Sequence, residues 1–248
     1  MSDEYILTRF NRLYNPPNWY YNPNHLTNRI YYIIGGNAMY RESVRLKPGN
    51  IYVFRASPDF MVSQSPDDPV DHIYFDFITS EQLLDEEYLE IETEKYPKLK
   101  FLTELMKESF EPGVYGMGKS NISPEAGDAF FTLLIDSLKG FFAKGKLYSE
   151  LTANALRIIH ESNPQDISVA YVASEMKMNV NHIIRTFKKE TGITPHKYIN
   201  LMKANLATEF VRQGVSLKET AEKLGFGSVS SFSVFFKTTT GRNISSFR

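Results

Sequence analysis

The stretch Asn179-Val-Asn-His-Ile-Ile-Arg-Thr-Phe-Lys-Lys-Glu-Thr-Gly192 decides how the chain is read. Asn179 is a favourable helix N-cap, because its side-chain oxygen can accept from backbone N–H groups that have no partner inside the helix. Gly192 can take the left-handed conformation that ends one. Between them Val180, Ile183 and Phe187 recur at three-to-four spacing, which makes one face of the helix apolar. The other face carries Asn181, Ile184 and Arg185, with His182 beside them and Lys188 and Lys189 near the C-terminal end. Such a face can lie in a groove of DNA.

Upstream, Ser168 can cap a segment in which Val169, Val172, Ala173 and Met176 also keep helical spacing, and Met178 closes a tight connection onto Asn179. Two short helices joined by a few residues, the second bearing an exposed Arg, outline a helix-turn-helix. The pattern is used twice. A step of 49 positions pairs Phe187 with Phe236, Lys188 with Lys237, Thr191 with Thr240 and Gly192 with Gly241, while Ile183 meets Phe232 and Tyr198 meets Phe247. The earlier helix of the second copy starts at Ser216-Leu-Lys-Glu219, a capping box, and runs through Ala221 and Leu224. Ser228 then caps a second candidate reading helix that reaches about Lys237.

Between the copies, Thr194-Pro195 opens a helix that Gly214 closes. It would be roughly 27 Å long, of the same order as the ~34 Å between successive major-groove faces of B-DNA, so one chain could present two helices to neighbouring grooves.

Residues 151 to 248 resemble the DNA-binding domain of AraC-type (AraC/XylS) transcriptional regulators. The resemblance rests on Ala173, Asn179 and Arg185-Thr-Phe-Lys-Lys-Glu-Thr-Gly-Ile-Thr-Pro-His-Lys-Tyr198, then Lys203 with Ala207. It continues through Ala221-Glu-Lys-Leu-Gly-Phe226, Ser228, Phe232, Phe235-Phe-Lys237 and Gly241. It implies a seven-helix-type module whose base-reading face falls on Asn181, Ile184 and Arg185 in the first unit and on Val229, Ser230 and Val234 in the second. The second set departs from the family pattern, which has Arg where this chain has Val234, a polar residue at Val229 and Pro at Ile244. That puts base readout by the second unit in question, although Lys237 can still hold a phosphate. His182, Lys188 and Lys203 complete the expected DNA contacts, with Lys188, Lys203 and Lys237 neutralising backbone charge.

Charge supports this division of labour. The chain of 248 residues has a net charge of only −1, but residues 151–248 hold 13 Lys and Arg against 7 Asp and Glu, a balance of +6. The first 150 residues hold 15 against 22, a balance of −7. The basic excess lies where phosphate attraction requires it. With 42% hydrophobic residues the chain can bury one large core or two small ones, and the C-terminal repeat makes two the expectation. The chain has no Cys, which excludes disulfide scaffolds and thiolate zinc sites. The N-terminus is acidic and polar and no apolar run reaches the length of a membrane span, so a cytoplasmic protein is expected.

Residues 1–28 are rich in Asn, Pro, Tyr and Trp and read as an irregular arm that sets Trp19 and Tyr21 against a ligand or a barrel wall. From Arg29 the texture turns to short β-type runs: 29–34, Ala38 to Leu46, Ile51 to Phe54 and Asp71 to Phe77, broken by Gly35-Gly-Asn37, Lys47-Pro-Gly-Asn50 and Ser65-Pro-Asp-Asp-Pro69. An all-β barrel or sandwich is expected. Leu46-Lys-Pro-Gly-Asn-Ile-Tyr-Val-Phe54 followed by Asp71-His-Ile-Tyr-Phe75 is similar to the cupin-type sensor domain of AraC-type regulators.

Cupins often hold a metal through His-x-His and a Glu. The five His here stand at 25, 72, 160, 182 and 196, none two apart, so no metal and no cofactor is expected. Period-two alternation puts His72, Tyr74 and Asp76 on one strand face and Ile73, Phe75 and Phe77 on the other, and lets Arg29 and Tyr31 share a face. Polar and aromatic groups inside a barrel would suit a sugar or another polar metabolite. The solvent side is the more ordinary place for a polar strand face.

Residues 98–110 and 124–143 read as helices. The second, with Phe130, Leu133, Leu134, Ser137, Leu138 and Phe141, has an apolar stripe that can pack within the chain or on a second copy, and 144–150 reads as a linker. Gly113-Val-Tyr-Gly-Met-Gly-Lys-Ser120 fits a phosphate-binding loop literally. Such a loop needs a strand before it and a helix starting at its Lys. Leu102 to Phe110 instead carry helical period and Pro124 would break the required helix, so a Gly-rich loop is the preferred reading.

The sequence therefore predicts a cupin-like ligand-sensing and dimerisation domain over 1–147 and an all-helical DNA-binding domain over 148–248. The implied function is that of a transcriptional regulator, not an enzyme. Its expected partners are double-stranded DNA, a small-molecule effector, a second copy of the chain and RNA polymerase. The alternatives are a nucleotide-hydrolysing or cupin enzyme, and a regulator that binds DNA only with a partner.

Overall fold

The computed structural model describes residues 5–14, 20–21, 27–57, 59–114, 122–145, 147–212 and 214–247. The chain divides into two compact units, Met1–Leu147 and Tyr148–Arg248.

Tyr5–Tyr14 is not part of an irregular arm but a ten-residue strand, β1. The short strand β2 (Tyr20–Tyr21) precedes β3 (Asn28–Gly35), β4 (Ala38–Tyr40) and β5 (Val44–Leu46). Then come β6 (Asn50–Phe54), β7 (Val62–Gln64), β8 (Asp71–Thr79) and β9 (Tyr88–Glu92). The run from Ala38 to Leu46 is a hairpin. Arg41 and Glu42, both at positive φ (48° and 58°), form its turn, and the N–H of Ser43 donates to the carbonyl of Tyr40 at 3.2 Å. The pair of positive φ values is the turn geometry whose twist suits a hairpin, and Arg41 is held by Glu87 at 2.6 Å.

After β9, helix α1 (Pro97–Ser109) leads to the two-residue β10 (Gly113–Val114), and α2 (Pro124–Leu138) closes the unit, N-capped by Ser123. The strands form a six-stranded sheet in the order β10-β1-β8-β3-β6-β9 and a four-stranded sheet in the order β2-β7-β4-β5. The expected closed barrel is not found: among the described residues no strand pairing joins the two sheets. The edge strands of the small sheet are two and three residues long, too short to carry a ladder round to the large one.

The large sheet is buried on both faces. Ile30, Tyr32, Ile51, Val53, Ile73, Phe75 and Phe77 pack against α1 and α2. Tyr31, Ile33, Tyr52, Phe54 and Tyr74 point the other way, onto Ala38, Tyr40, Leu46 and Val62 of the small sheet. Of the expected stripe, Leu134 and Leu138 are buried, Phe130 and Phe141 pack partly buried against the same core and Leu133 is half exposed, while Phe131 and Ile135, outside that stripe, are buried as well. The segment read as a linker is tied down on both sides. Leu147 N–H donates to Ser80 at 2.6 Å in the first unit, and Ser149 donates through both N–H and Oγ to Glu190 at 3.0 Å in the second.

The second unit is helical: α3 (Glu150–Glu161), α4 (Val169–Glu175), α5 (Val180–Thr191), α6 (Pro195–Arg212), α7 (Leu217–Lys223) and α8 (Val229–Thr240), then a short 3-10 turn at Ile244–Phe247. No helix among the described residues is long and apolar enough to cross a membrane.

Candidate nucleic-acid interface

The two helix pairs of the second unit are built alike. Ser168 caps α4 and Ser216 caps α7, each accepting from the N–H three residues on. The tight turns that follow place Lys177 (φ 51°) and Gly225 (φ 82°) in the left-handed region. In each, an N–H reaches back across the turn, Met178 to Ala173 and Phe226 to Ala221. Up to this point the copies are 48 residues apart. Gly227 then adds one residue to the second turn, and α5 and α8, each of 12 residues, are offset by 49. Gly225 is needed twice over, because a Cβ there would meet the backbone of Gln165 at 2.8 Å.

Helices α5 and α8 are capped by Asn179 and Ser228 and end at the left-handed Gly192 and Gly241. Their inner faces are anchored at equivalent positions, Ile183 and Phe187 in one, Phe232 and Phe236 in the other, all fully buried. Phe187 packs edge-on to Tyr198, whose hydroxyl lies 2.7 Å from Nε2 of the part-buried His160. Burial lowers the His160 pKa to about 4. Phe236 and Phe232 sit with Ala204, Ala207, Val211, Leu224 and Ile244. Ile244, where the family pattern has Pro, is thus a core residue.

With the inner faces fixed, the outer faces follow. On α5, Asn181, His182, Arg185, Lys188 and Lys189 are exposed and Ile184 is half-buried. On α8, Ser230, Val234 and Lys237 are exposed together with Ser231 and Thr238, and Val229 is half-buried. Lys188, Lys189 and Lys237 lie in the last turns, where a cation is favoured by the helix dipole. Lys203 belongs elsewhere. Its ammonium donates to the carbonyl of Leu224 at 3.2 Å, at the end of α7, and lies 5.9 Å from the Phe226 ring. Burial lowers its pKa. In this structure Lys203 caps the seam between α6 and α7.

In the first unit, Arg29, Tyr31, His72 and Tyr74 do come together, on the inner face of the large sheet. Trp19 lies outside the described residues, and of Tyr21 only the strand position is described. The polar strand face is not the solvent side: Arg29 is 0%, His72 2% and Asp76 1% exposed. Asp76 Oδ2 lies 3.3 Å from Arg9, and Oδ1 3.7 Å from Arg29, whose guanidinium covers the Phe60 ring at 4.2 Å. Arg29 also donates to both oxygens of Thr27 at 2.8 Å. Desolvation lowers the His72 pKa to about 4, against the opposing pull of Asp71. Arg9 escaped the sequence reading because β1 bulges between Leu7 and Arg9, which turns Arg9 inward where strict alternation from Tyr5 and Leu7 would not.

The phosphate-loop pattern gains no support. Helix α1 fills the residues before it and α2 begins at Pro124, four residues beyond Ser120. Residues 115–121, and so Lys119 and the Gly-rich loop itself, lie outside the described residues.

A duplicated, identically anchored helix pair on a basic unit defines a double helix-turn-helix domain. Residues 172–248 match the family described as "Helix-turn-helix domain". A putative AraC-like transcription regulator from Streptomyces antibioticus is 29% identical over 114 residues, covering 46% of this chain and 37% of the relative. The uncharacterized HTH-type transcriptional regulator YfiF of Bacillus subtilis (strain 168) is 24% identical over 240 residues, covering 88% of this chain and 76% of the relative. The chain spans only 13% to 40% of the length of the first four curated relatives. Among solved structures, unsaturated fatty acid bound wild-type ToxT from Vibrio cholerae strain SCE256 shares the fold, with a TM-score of 0.57 over 98% of this chain and 94% of that one, at 14% identity. The C-terminal unit contains a helix-turn-helix domain and is similar to that of an AraC-like regulator, and the chain shares with ToxT the fold of a β-rich unit followed by a helical one.

Proposed function

We propose that the protein is a sequence-specific DNA-binding transcriptional regulator that presents α5 and α8 to successive major grooves. The carrying observation is that two helices with equivalent caps and buried anchors expose equivalent faces on the basic half of the chain. On α5, Arg185 is placed to donate a bidentate pair to guanine and Asn181 to meet a base edge, while Lys188, Lys189 and Lys237 serve phosphates. The test is selection from a random double-stranded library by the full chain, then titration of an enriched duplex with wild type and Arg185→Ala. Loss of about 1 to 3 kcal/mol of discrimination at one base pair supports the reading. Equal weakening of enriched and random DNA moves Arg185 to the phosphate class, and absence of any enrichment overturns the reading.

The first unit, on this reading, is the cupin-like sensor, and its effector is a small polar metabolite such as a sugar, met by Arg29, Tyr31, His72 and Tyr74. A specific observation favours a second reading, an effector bearing a carboxylate: two guanidiniums, Arg9 and Arg29, converge on the single carboxylate of Asp76. The fold is also that of fatty acid bound ToxT.

Pairing of two copies fits α1 better than α2. Lys98, Phe101, Leu105 and Glu108 form an exposed stripe on α1, with Phe101 71% and Leu105 44% exposed. In an antiparallel pair about a twofold axis near Thr103, Phe101 of one copy meets Leu105 of the other and Lys98 meets Glu108, so apolar and charged positions are both self-complementary.

A further inference from the structure

The two reading helices differ chemically at equivalent places. Arg185 and Val234 are 49 residues apart, as are the buried anchors Phe187 and Phe236, so both project from the same side of their helix. At 65% exposed, Val234 is the most exposed large hydrophobic residue described in the second unit. One turn before it stand Ser230 and Ser231, and one turn after it Lys237 and Thr238, all exposed. Helix α8, VSSFSVFFKTTT, contains no carboxylate.

The structure assigns to Val234 a thymine-reading role: we propose that the second helix-turn-helix unit recognises the 5-methyl group of a thymine in the major groove, with Val234 as its specificity-determining residue. This rests on the DNA-binding reading above and deepens it. An isopropyl group neither donates nor accepts, so against the polar edges of guanine, adenine or cytosine it would strip water without replacing the lost hydrogen bonds. The thymine methyl is the one apolar feature the major groove offers. The serines one turn earlier are short enough to let the helix come close, and Lys237 at the far end supplies a phosphate contact. The two units then read different chemistry, hydrogen-bonding base edges by α5 and a methyl group by α8. Burying one methyl against an isopropyl corresponds to about a fourfold change in affinity.

The experiment uses the full chain and a duplex enriched from a random double-stranded library. Each thymine is replaced singly by deoxyuridine, which removes only the methyl, and binding is followed by fluorescence anisotropy. The expected result is one position, about one helical turn from the base pair that responds to Arg185→Ala, where deoxyuridine weakens binding about fourfold. Val234→Ala should bind the thymine and deoxyuridine duplexes alike, with unchanged circular dichroism. At the same position 5-methylcytosine should outcompete cytosine for wild type only. A flat deoxyuridine scan overturns the inference while leaving the regulator reading intact, as does methyl sensitivity that survives in Val234→Ala and would point to another residue. Failure of the wild-type chain to enrich any sequence overturns both.

Discussion

At the scale of single residues, each unit holds a histidine in its neutral form, His72 buried and His160 part-buried. His160 hydrogen-bonds Tyr198 in the helical unit, and burial lowers its pKa to about 4; His72 is lowered likewise in the β-rich unit. An unfolded chain takes up those protons near the ordinary pKa of about 6.5. Below that pH the unfolded state binds more protons than the folded one. The stabilisation is therefore complete above about pH 6.5 and is lost progressively as pH falls towards 4. Each group should cost on the order of 2 kcal/mol between pH 7 and pH 5. Urea denaturation at the two pH values measures the loss, and the imidazole resonances of His160 should stay at their neutral positions at pH 5. A His160 titrating near 6.5 in the folded protein would contradict this. Gly127 in α2 gives a second residue-scale test. Gly to Ala inside a helix ordinarily stabilises by about 1 kcal/mol, but a Cβ at Gly127 would overlap the ring of Phe10, which is held between Phe75 and Phe110. Gly127→Ala should lower the thermal midpoint of the first unit, and a raised midpoint would show that the ring can yield.

At the scale of elements, the C-terminal helices were the most legible part of the chain. Their caps, stops and apolar spacing are written in local residues, and Asn179, Gly192, Ser216, Ser228 and Gly241 act where the sequence places them. The β-rich unit was less legible for identifiable reasons. A bulge in β1 breaks the alternation that marks a strand, and the Asn- and Pro-dense residues that follow hid the strand before them. The turn at Arg41-Glu42 uses neither Gly nor Asn, so one run was read where there are two strands. The inward direction of Arg29, His72 and Asp76 depends on a second sheet covering them, which no single strand records. The exposed stripe of α1 carries only two apolar residues, Phe101 and Leu105, too few to stand out in the sequence. On the proposed pairing, the full chain should run at twice its 28.5 kDa mass in light scattering. Phe101→Glu, on an exposed position, should return it to the single-chain mass without loss of helicity. A wild-type chain at 28.5 kDa, or a variant still at twice that mass, would remove α1 from the interface.

At the scale of the whole molecule, charge divides as the fold does: the β-rich unit, residues 1–147, holds 15 Lys and Arg against 21 Asp and Glu, a balance of −6, and the helical unit, 148–248, holds 13 against 8, a balance of +5. On the proposed function, the basic unit supplies attraction to DNA and the duplicated helix pair gives that attraction an address. On the same reading, α5 and α8 engage one face of a duplex together. Hydroxyl-radical footprinting of the full chain on a duplex enriched from a random library tests it directly. Two protected tracts should appear on the same face, their centres about one helical turn, or 10 to 10.5 base pairs, apart, with Arg185→Ala weakening protection in one tract before the other. A single protected tract, or two tracts on opposite faces of the duplex, would contradict it.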